Sequence, residues 1–428
     1  MDQSSGRISA LKESELLDYL YSLRNRGSKF GLERMQELVQ RFKNPQLSYP
    51  TIHVAGTNGK GSVCAMLDSI YRLHGYKVGL FTSPHLLELG ERVRVNGEIL
   101  SFPKILNWVD KIRPVAEDMA KEDEQMYPSF FEVMTAVAFL EFQQCGVDIA
   151  IFETGLGGRL DSTNVIQPEI SIITSIGLDH CEMLGNSLTE IASEKAGIFK
   201  QRTPALWGWL PEEANRVMEA VSQKLDCPVQ DLTDLDKDEL PVTNLSGSFQ
   251  SRNAALAKRA AENLTQKFPL TKEGMDLALT RVSLAGRWQV VSGLPTMIFD
   301  ACHNGAAVPA ILENLKNLPQ PVELWFASSR TERAQDVLPS ILPYASRVRL
   351  FEIQQPGACT KDQMKKIIPD AFSGDVFLNN QKEILPILAQ SQTNCTVLVT
   401  GSIYFIGEVF AVLKDSGKEC SVHFQDIW

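Results

Sequence analysis

Seven consecutive residues, Gly56-Thr57-Asn58-Gly59-Lys60-Gly61-Ser62, combine the groups that holding a polyphosphate requires. Three glycines let the backbone turn tightly and bring amide N–H groups against phosphate oxygens. Lys60 can neutralise terminal phosphates, and the Ser62 hydroxyl can reach a magnesium ion. The loop departs from the standard Walker pattern, because the opening glycine is absent and Gly61 separates the lysine from the serine. An ordinary glycine turn between a strand and a helix is the alternative. The lysine and hydroxyl in this context favour nucleotide binding, with the dipole of the following helix adding positive potential.

The elements that must position this loop are legible on either side. Thr51–Ala55 reads as a strand, and after the loop Val63, Met66, Leu67, Ile70 and Leu73 recur at the spacing of one buried helical face. Further strand-like runs occur at 78–82, 147–153, 170–176 and 204–207, mostly separated by helical stretches, and residues 10–43 read as two helices around a polar break. Apolar strands alternating with helices imply a mostly parallel sheet covered on both faces, whose ligands gather at the carboxyl ends of the strands. Residues 228–248 read as a loop, with a helix from about Asn253. Strands are expected again at 296–299, 322–326, 348–351 and 396–400. The organisation expected is an α/β fold in two parts: a phosphate-loop domain over 1–281, a linker at 282–294, and a smaller Rossmann-like α/β domain over 295–428.

Composition narrows the function. The 428 residues are 44% hydrophobic and 22% charged with a formal net charge of -10, which fits a globular protein and disfavours a nucleic-acid surface. No basic leader or bilayer-length apolar run is visible, so a cytoplasmic protein with no membrane partner is expected. The eight cysteines form no C-x-x-C pair, which argues against a structural zinc site or a disulfide framework.

Several other motifs stand in order with the loop: Phe81-Thr82-Ser83-Pro84-His85-Leu86, Glu91-Arg92-Val93-Arg94-Val95, the run Glu153-Thr154-Gly155-Leu156-Gly157-Gly158-Arg159-Leu160-Asp161-Ser162-Thr163-Asn164, Leu178-Asp179-His180, Glu194-Lys195-Ala196-Gly197-Ile198-Phe199, Gly286-Arg287-Trp288-Gln289 and Thr400-Gly401-Ser402. Together with His53-Val54-Ala55 and the loop, they resemble the folylpolyglutamate and dihydrofolate synthases of the Mur ligase superfamily. The resemblance covers about residues 15–410. It implies an ATP-dependent ligase that joins glutamate to a folate-type carboxylate through an acyl phosphate, acting on small molecules only and as a monomer.

The resemblance also implies roles. Two magnesium ions would be held by Ser62, Ser83, Glu153 and His180, with Glu153 bridging them. Taken alone, Ser83 reads as a cap or turn residue and His180 as a capped strand end. Lys195 would be a carbamylated lysine offering an anionic oxygen to magnesium. Its alternative is a cation at a helix C-terminus, in a helix that Ser187 and Glu190 start with a capping box. Asn253, Arg287, Asp300 and His303 would bind ATP with the loop. The folate or dihydropteroate would contact Lys29, Phe30, Gly31, Leu32, His85, Phe131, Glu132, Arg159, Leu160 and Asp161. Glu132 also reads as a favourable carboxylate at a helix start.

Gly31-Leu32-Glu33-Arg34 resembles the family's N-terminal pterin loop, and four features depart from the family pattern: Lys29-Phe30, where an acidic residue and a leucine are common, Cys302 and Gly305 beside His303, the segment Ala327-Ser328-Ser329-Arg330-Thr331-Glu332-Arg333, and a short 228–248. Cys302 next to His303 is discounted as a nucleophile, since neighbours on one backbone rarely reach each other productively. Only 55 residues precede Gly56, fewer than the sugar-binding domain of a Mur ligase would need. The competing readings are a nucleotide-dependent switch protein and a diverged ligase acting on another acid and amine.

Overall fold

The computed structural model describes residues 10–23, 31–293, 295–318, 322–390 and 396–415. They fall into two compact units, the first within Met1–Ile176, His180–Asp236 and Leu256–Ala278, the second within Gly177–Asp179, Lys237–Ala255 and Leu279–Trp428. Lys29 and Phe30 lie outside the described residues.

Unit one is built on an eight-stranded sheet. Its strands are β1 (Thr51–Ala55), β2 (Val78–Phe81), β3 (Val93–Val95), β4 (Glu98–Ile99), β5 (Ile149–Glu153), β6 (Ile170–Ile173), β7 (Ala205–Trp207) and β8 (Val229–Asp231), in the order β4-β3-β2-β5-β1-β6-β7-β8. From β2 to β8 the pairing is parallel, and β3 and β4 add an antiparallel edge. Every residue of β1, β2, β5, β6 and β7 is buried, as a sheet covered on both faces demands. Phe139 and Phe142 of the helix Phe130–Cys145 belong to one apolar cluster with Phe81 and Phe152 of the sheet.

Unit two carries a six-stranded sheet of β9 (Gln289–Val291), β10 (Thr296–Asp300), β11 (Val322–Phe326), β12 (Ala345–Leu350), β13 (Asp375–Leu378) and β14 (Thr396–Thr400), ordered β13-β12-β11-β14-β10-β9. It is parallel except for β9, which runs antiparallel to β10.

Some boundaries differ from those expected. Strand β6 stops at Ile173, so His180 ends no strand; it caps the four-residue helix Cys181–Leu184 in a left-handed conformation, φ 52°. The helix expected from about Asn253 starts at Ser248, and 228–248 contains β8. The edge strands β3, β4 and β9 have only two or three residues, too few to show periodicity. Among the described residues, no helix is long and apolar enough to cross a membrane.

Candidate active site

The phosphate loop leaves β1 and runs into the helix Lys60–Leu73, with Gly59 at the helix cap in a left-handed conformation, φ 87°. Its first turn is tied to β6's extension: Thr57 N–H donates to Ser175 O at 2.8 Å, and Asn58 N–H to Ser175 Oγ at 2.9 Å. Gly56 is obligatory, because a Cβ there would run into Thr174 Oγ1. Lys60 folds back so that Nζ donates to Gly56 O at 3.0 Å and Thr57 O at 3.2 Å.

Register brings the acid to the loop. Val54 pairs with Glu153, so β5 ends beside the strand that runs into the glycine loop. Glu153 is buried and its Oε2 accepts the Ser83 N–H at 3.1 Å. A Cβ on Gly61 would lie 3.8 Å from both carboxylate oxygens, which places the acid over the first turn of the helix. Ser83 follows β2, the neighbour of β5. Among the described residues, no group of three His, Cys, Asp or Glu side chains is assembled for a metal. Magnesium still fits this donor set, since it binds through one or two carboxylates plus substrate phosphates and retained waters.

Lys195 stands in the last turn of the helix Leu188–Ala196, which begins with the expected capping box of Ser187 and Glu190. The side chain is only 4% exposed, and its Nζ donates to Gly56 O at 2.9 Å. Two lysines therefore converge on one carbonyl oxygen of the phosphate loop. A Cβ on Gly158 would lie 2.8 Å from Lys195 O, so the loop after Glu153 packs directly on this helix end.

That loop is closed by Asp161. Its Oδ2 accepts the N–H groups of Gly155 and Leu156 at 2.8 and 2.9 Å. Its Oδ1 accepts the Thr163 N–H at 3.0 Å and the Thr163 hydroxyl at 2.5 Å. Burial pushes the Asp161 carboxyl pKa up, while these bonds draw it down. Asp161, read from sequence as a substrate contact, is thus engaged inside its own loop. Arg159 is exposed and bound by Glu194 at 2.8 Å, and Leu160 is half-buried.

Glu132 is the helix-start carboxylate expected. It completes a capping box with Ser129 at the start of the helix Phe130–Cys145, and its carboxylate receives Arg34 Nε at 3.0 and 3.3 Å. Both partners are buried. Arg34 thereby ties the segment after Gly31 and Leu32 to that helix. Phe131 lies against Gly155, where a Cβ would come within 2.5 Å of its ring. His85 sits in a loop held by Glu91, whose carboxylate accepts the N–H groups of Leu86, Leu87 and Glu88 at 2.7, 2.7 and 2.6 Å. Arg92 Nε donates to His85 Nδ1 at 2.8 Å, and a guanidinium can only donate, so the ring proton rests on Nε2.

In unit two, Asp300 ends β10 and accepts Trp288 N–H at 2.9 Å on Oδ2 and Cys302 N–H at 2.9 Å on Oδ1. It therefore clasps the segment bearing Arg287, which lines a cavity of about 300 Å³ with Asn244, Trp288 and Gln289. Burial raises the Asp300 pKa, opposed mainly by Arg287. His303 Nδ1 lies 2.8 Å from Ala301 O, so that nitrogen carries the proton. Burial and nearby Asp300 push the Cys302 thiol far up, which removes it as a nucleophile near neutrality. Asn253 Nδ2 donates to Gln250 Oε1 at 3.0 Å. The segment that departs from the family pattern delivers Arg333, whose Nη2 donates to Asp179 Oδ1 at 2.8 Å, while Asn304 Nδ2 donates to Asp179 Oδ2 at 2.9 Å.

Arg34, Arg92, Thr163 and His53 stand in motifs that carry the family resemblance and Arg333 in a segment that departs from it, but their partners were not legible in the sequence. Each acts through a partner between 7 and 154 positions away, and no local pattern marks such pairs.

Residues 54–270 match the Mur ligase middle domain. A dihydrofolate synthase/folylpolyglutamate synthase of Bacillus subtilis is 33% identical over 417 residues, covering 91% of this chain and 96% of that protein. The folylpolyglutamate synthase of Mycobacterium tuberculosis, solved with ADP and AMPPCP, superposes with a TM-score of 0.84 at 26% identity, covering 94% and 98% of the two chains. A bifunctional folylpolyglutamate synthase/dihydrofolate synthase solved with Mn, AMPPNP and L-glutamate gives a TM-score of 0.78 at 27% identity, covering 93% and 98%.

Proposed function

The chain belongs to the dihydrofolate synthase/folylpolyglutamate synthase family, and on that premise we propose how its residues join L-glutamate to a folate-type carboxylate at the expense of ATP. The observation that carries the reading is the approach of the Glu153 carboxylate to the start of the phosphate-loop helix at Gly61. An acid there is repelled by phosphates unless cations lie between them.

The substrate carboxylate attacks the γ-phosphorus of ATP, forming the acyl phosphate and releasing ADP. The amine of glutamate then attacks the acyl carbon, and phosphate leaves. Lys60 exchanges its two backbone carbonyls for terminal phosphate oxygens, and the amides of Gly59, Gly61 and Ser62 orient the chain of phosphates. Positioning and charge neutralisation supply most of the acceleration in such transfers. Ser62, Ser83, Glu153, His180 and a carbamylated Lys195 would hold two magnesium ions, which supply charge neutralisation for the phosphoryl oxygens. Asn253, Arg287, Asp300 and His303 are assigned to the nucleotide. His85, Phe131, Glu132, Arg159, Leu160 and Asp161, with Gly31 and Leu32, are assigned to the pterin-bearing substrate, as contacts or as supports of contacts. The reading extends to a cytosolic monomer with a ligase domain over 1–281, a linker over 282–294 and a second domain over 295–428.

The test is ADP and phosphate release by purified protein with magnesium, ATP and glutamate, given dihydropteroate or a reduced folate. Turnover with both is expected. Turnover with one alone assigns a single activity. ATP hydrolysis indifferent to either acid would sink the ligase reading.

A further inference from the structure

Strand β1 lies at the centre of its sheet with all five residues buried, and an imidazole is an expensive choice for such a place. His53 is nevertheless its middle residue, fully buried between Phe152 of β5 and Ser171 of β6 in the ladder. Its Nε2 lies 2.9 Å from Thr163 Oγ1, and its Nδ1 meets no partner among the described residues. The Thr163 hydroxyl gives its proton to Asp161 Oδ1 at 2.5 Å, so the same oxygen must accept from His53. The imidazole therefore carries its proton on Nε2. Asp161 in turn receives Gly155 and Leu156 N–H, the amides of the turn that follows Glu153.

We propose that His53 is a positioning residue, acting through Thr163 and Asp161 to fix the loop 154–161 behind Glu153. The strand that launches the phosphate loop and the loop that follows the acid are thereby locked to each other by side chains as well as by the sheet ladder. No local alternative is present for Thr163: its hydroxyl proton is taken by Asp161, and only the His53 N–H reaches its lone pair among the bonds of this cluster. An apolar residue at position 53 would pack equally well in the strand and leave Thr163 without a donor. The consequence for catalysis rests on the ligase reading above; the ordering of the loop does not.

His53→Phe removes the donor and keeps a ring, whereas His53→Gln offers an N–H close to the position of Nε2. In His53→Phe, kcat/KM for the acid substrate is expected to fall about 10- to 100-fold, as for other outer-shell partners, with KM for ATP within about twofold. His53→Gln should recover most of that loss. Thr163→Val should cost as much as His53→Phe, and the double variant little more, because coupled residues are not additive. Hydrogen exchange at the Gly155 and Leu156 amides should speed up in His53→Phe and Thr163→Val but not in His53→Gln. That readout needs no substrate, so faster exchange in a protein that ligates no folate acid would retain the relay and reject the ligase reading. Additive losses, no rescue by glutamine, or unchanged exchange at both amides would overturn the relay.

Discussion

Replacing Lys195 by methionine separates two accounts of the buried lysine. Lys195 Nζ and Lys60 Nζ lie 2.9 and 3.0 Å from the same Gly56 oxygen. Two ammonium groups so placed are no more than about 6 Å apart, and at an effective dielectric of about 20 they repel by about 3 kcal/mol. Lys60 is half-buried, so solvent screening brings this to about 1–2 kcal/mol. Carbamylation removes the repulsion by replacing one cation with an anion, and Lys195→Met removes it without creating a ligand. Gly56 O keeps Lys60 as a donor in the variant, so no orphaned carbonyl confuses the comparison. With a carbamate in the native protein, Lys195→Met should lose about 100-fold or more in kcat/KM, since a charge-stabilising group is gone. Acetate added in trans should return part of it, and the native protein should lose activity on carbon dioxide depletion. Rates of ADP release with and without bicarbonate, alongside denaturation midpoints, decide the matter. Ligation near the native rate in Lys195→Met, whatever its denaturation midpoint, would refute the carbamate.

Lys60→Ala should cut turnover by about 100- to 1000-fold while the circular dichroism spectrum stays native, and near-native ADP release would reject the phosphate assignment. Arg34→Met strands the buried Glu132 carboxylate and should destabilise by about 3–5 kcal/mol in urea, with Glu132→Gln added to it restoring much of the loss. Burial holds the His53 pKa down at about 3 against the ordinary 6.5. Below pH 6.5 the unfolded chain binds a proton that the folded chain refuses, so stability falls with falling pH. Between pH 6.5 and 5 the native protein should lose about 1.6 kcal/mol more than His53→Gln, and parallel pH profiles for the two would contradict the buried neutral imidazole.

What the sequence made legible was local. The phosphate loop, the strands β1, β11 and β14, and the capping box of Ser187 and Glu190 depend on residues within a few positions of each other, where spacing carries the signal. Glu132 was readable as a helix-start carboxylate for the same reason, and its capping box with Ser129 is present. Its bond to Arg34 was not, because 98 residues separate them and only packing decides which cation arrives. His53 and Thr163 stand 110 residues apart and meet across the face of the sheet. His180 was misplaced by strand length: β6 ends three residues early, and the chain turns through a left-handed His180 into a short helix.

A shared device explains how flexible, glycine-bearing loops become rigid here. Glu91 accepts three N–H groups from Leu86 to Glu88, Asp161 accepts those of Gly155, Leu156 and Thr163, and Asp300 accepts those of Trp288 and Cys302. In each loop a carboxylate from the chain itself takes the place an anionic ligand could occupy, and each such charge-assisted bond is stronger than a neutral one. The phosphate loop is organised the opposite way. Its helix starts at Lys60 with glycine at the cap and no side-chain cap hydrogen bond, whereas the helices at Phe130 and Leu188 begin with capping boxes. A helix start without a side-chain acceptor leaves its first N–H groups directed at whatever anion arrives. The chain thus uses its own carboxylates to hold three loops still, whereas at the phosphate-loop helix glycine stands at the cap and the nearby carboxylate, Glu153, comes from another strand and accepts the Ser83 N–H.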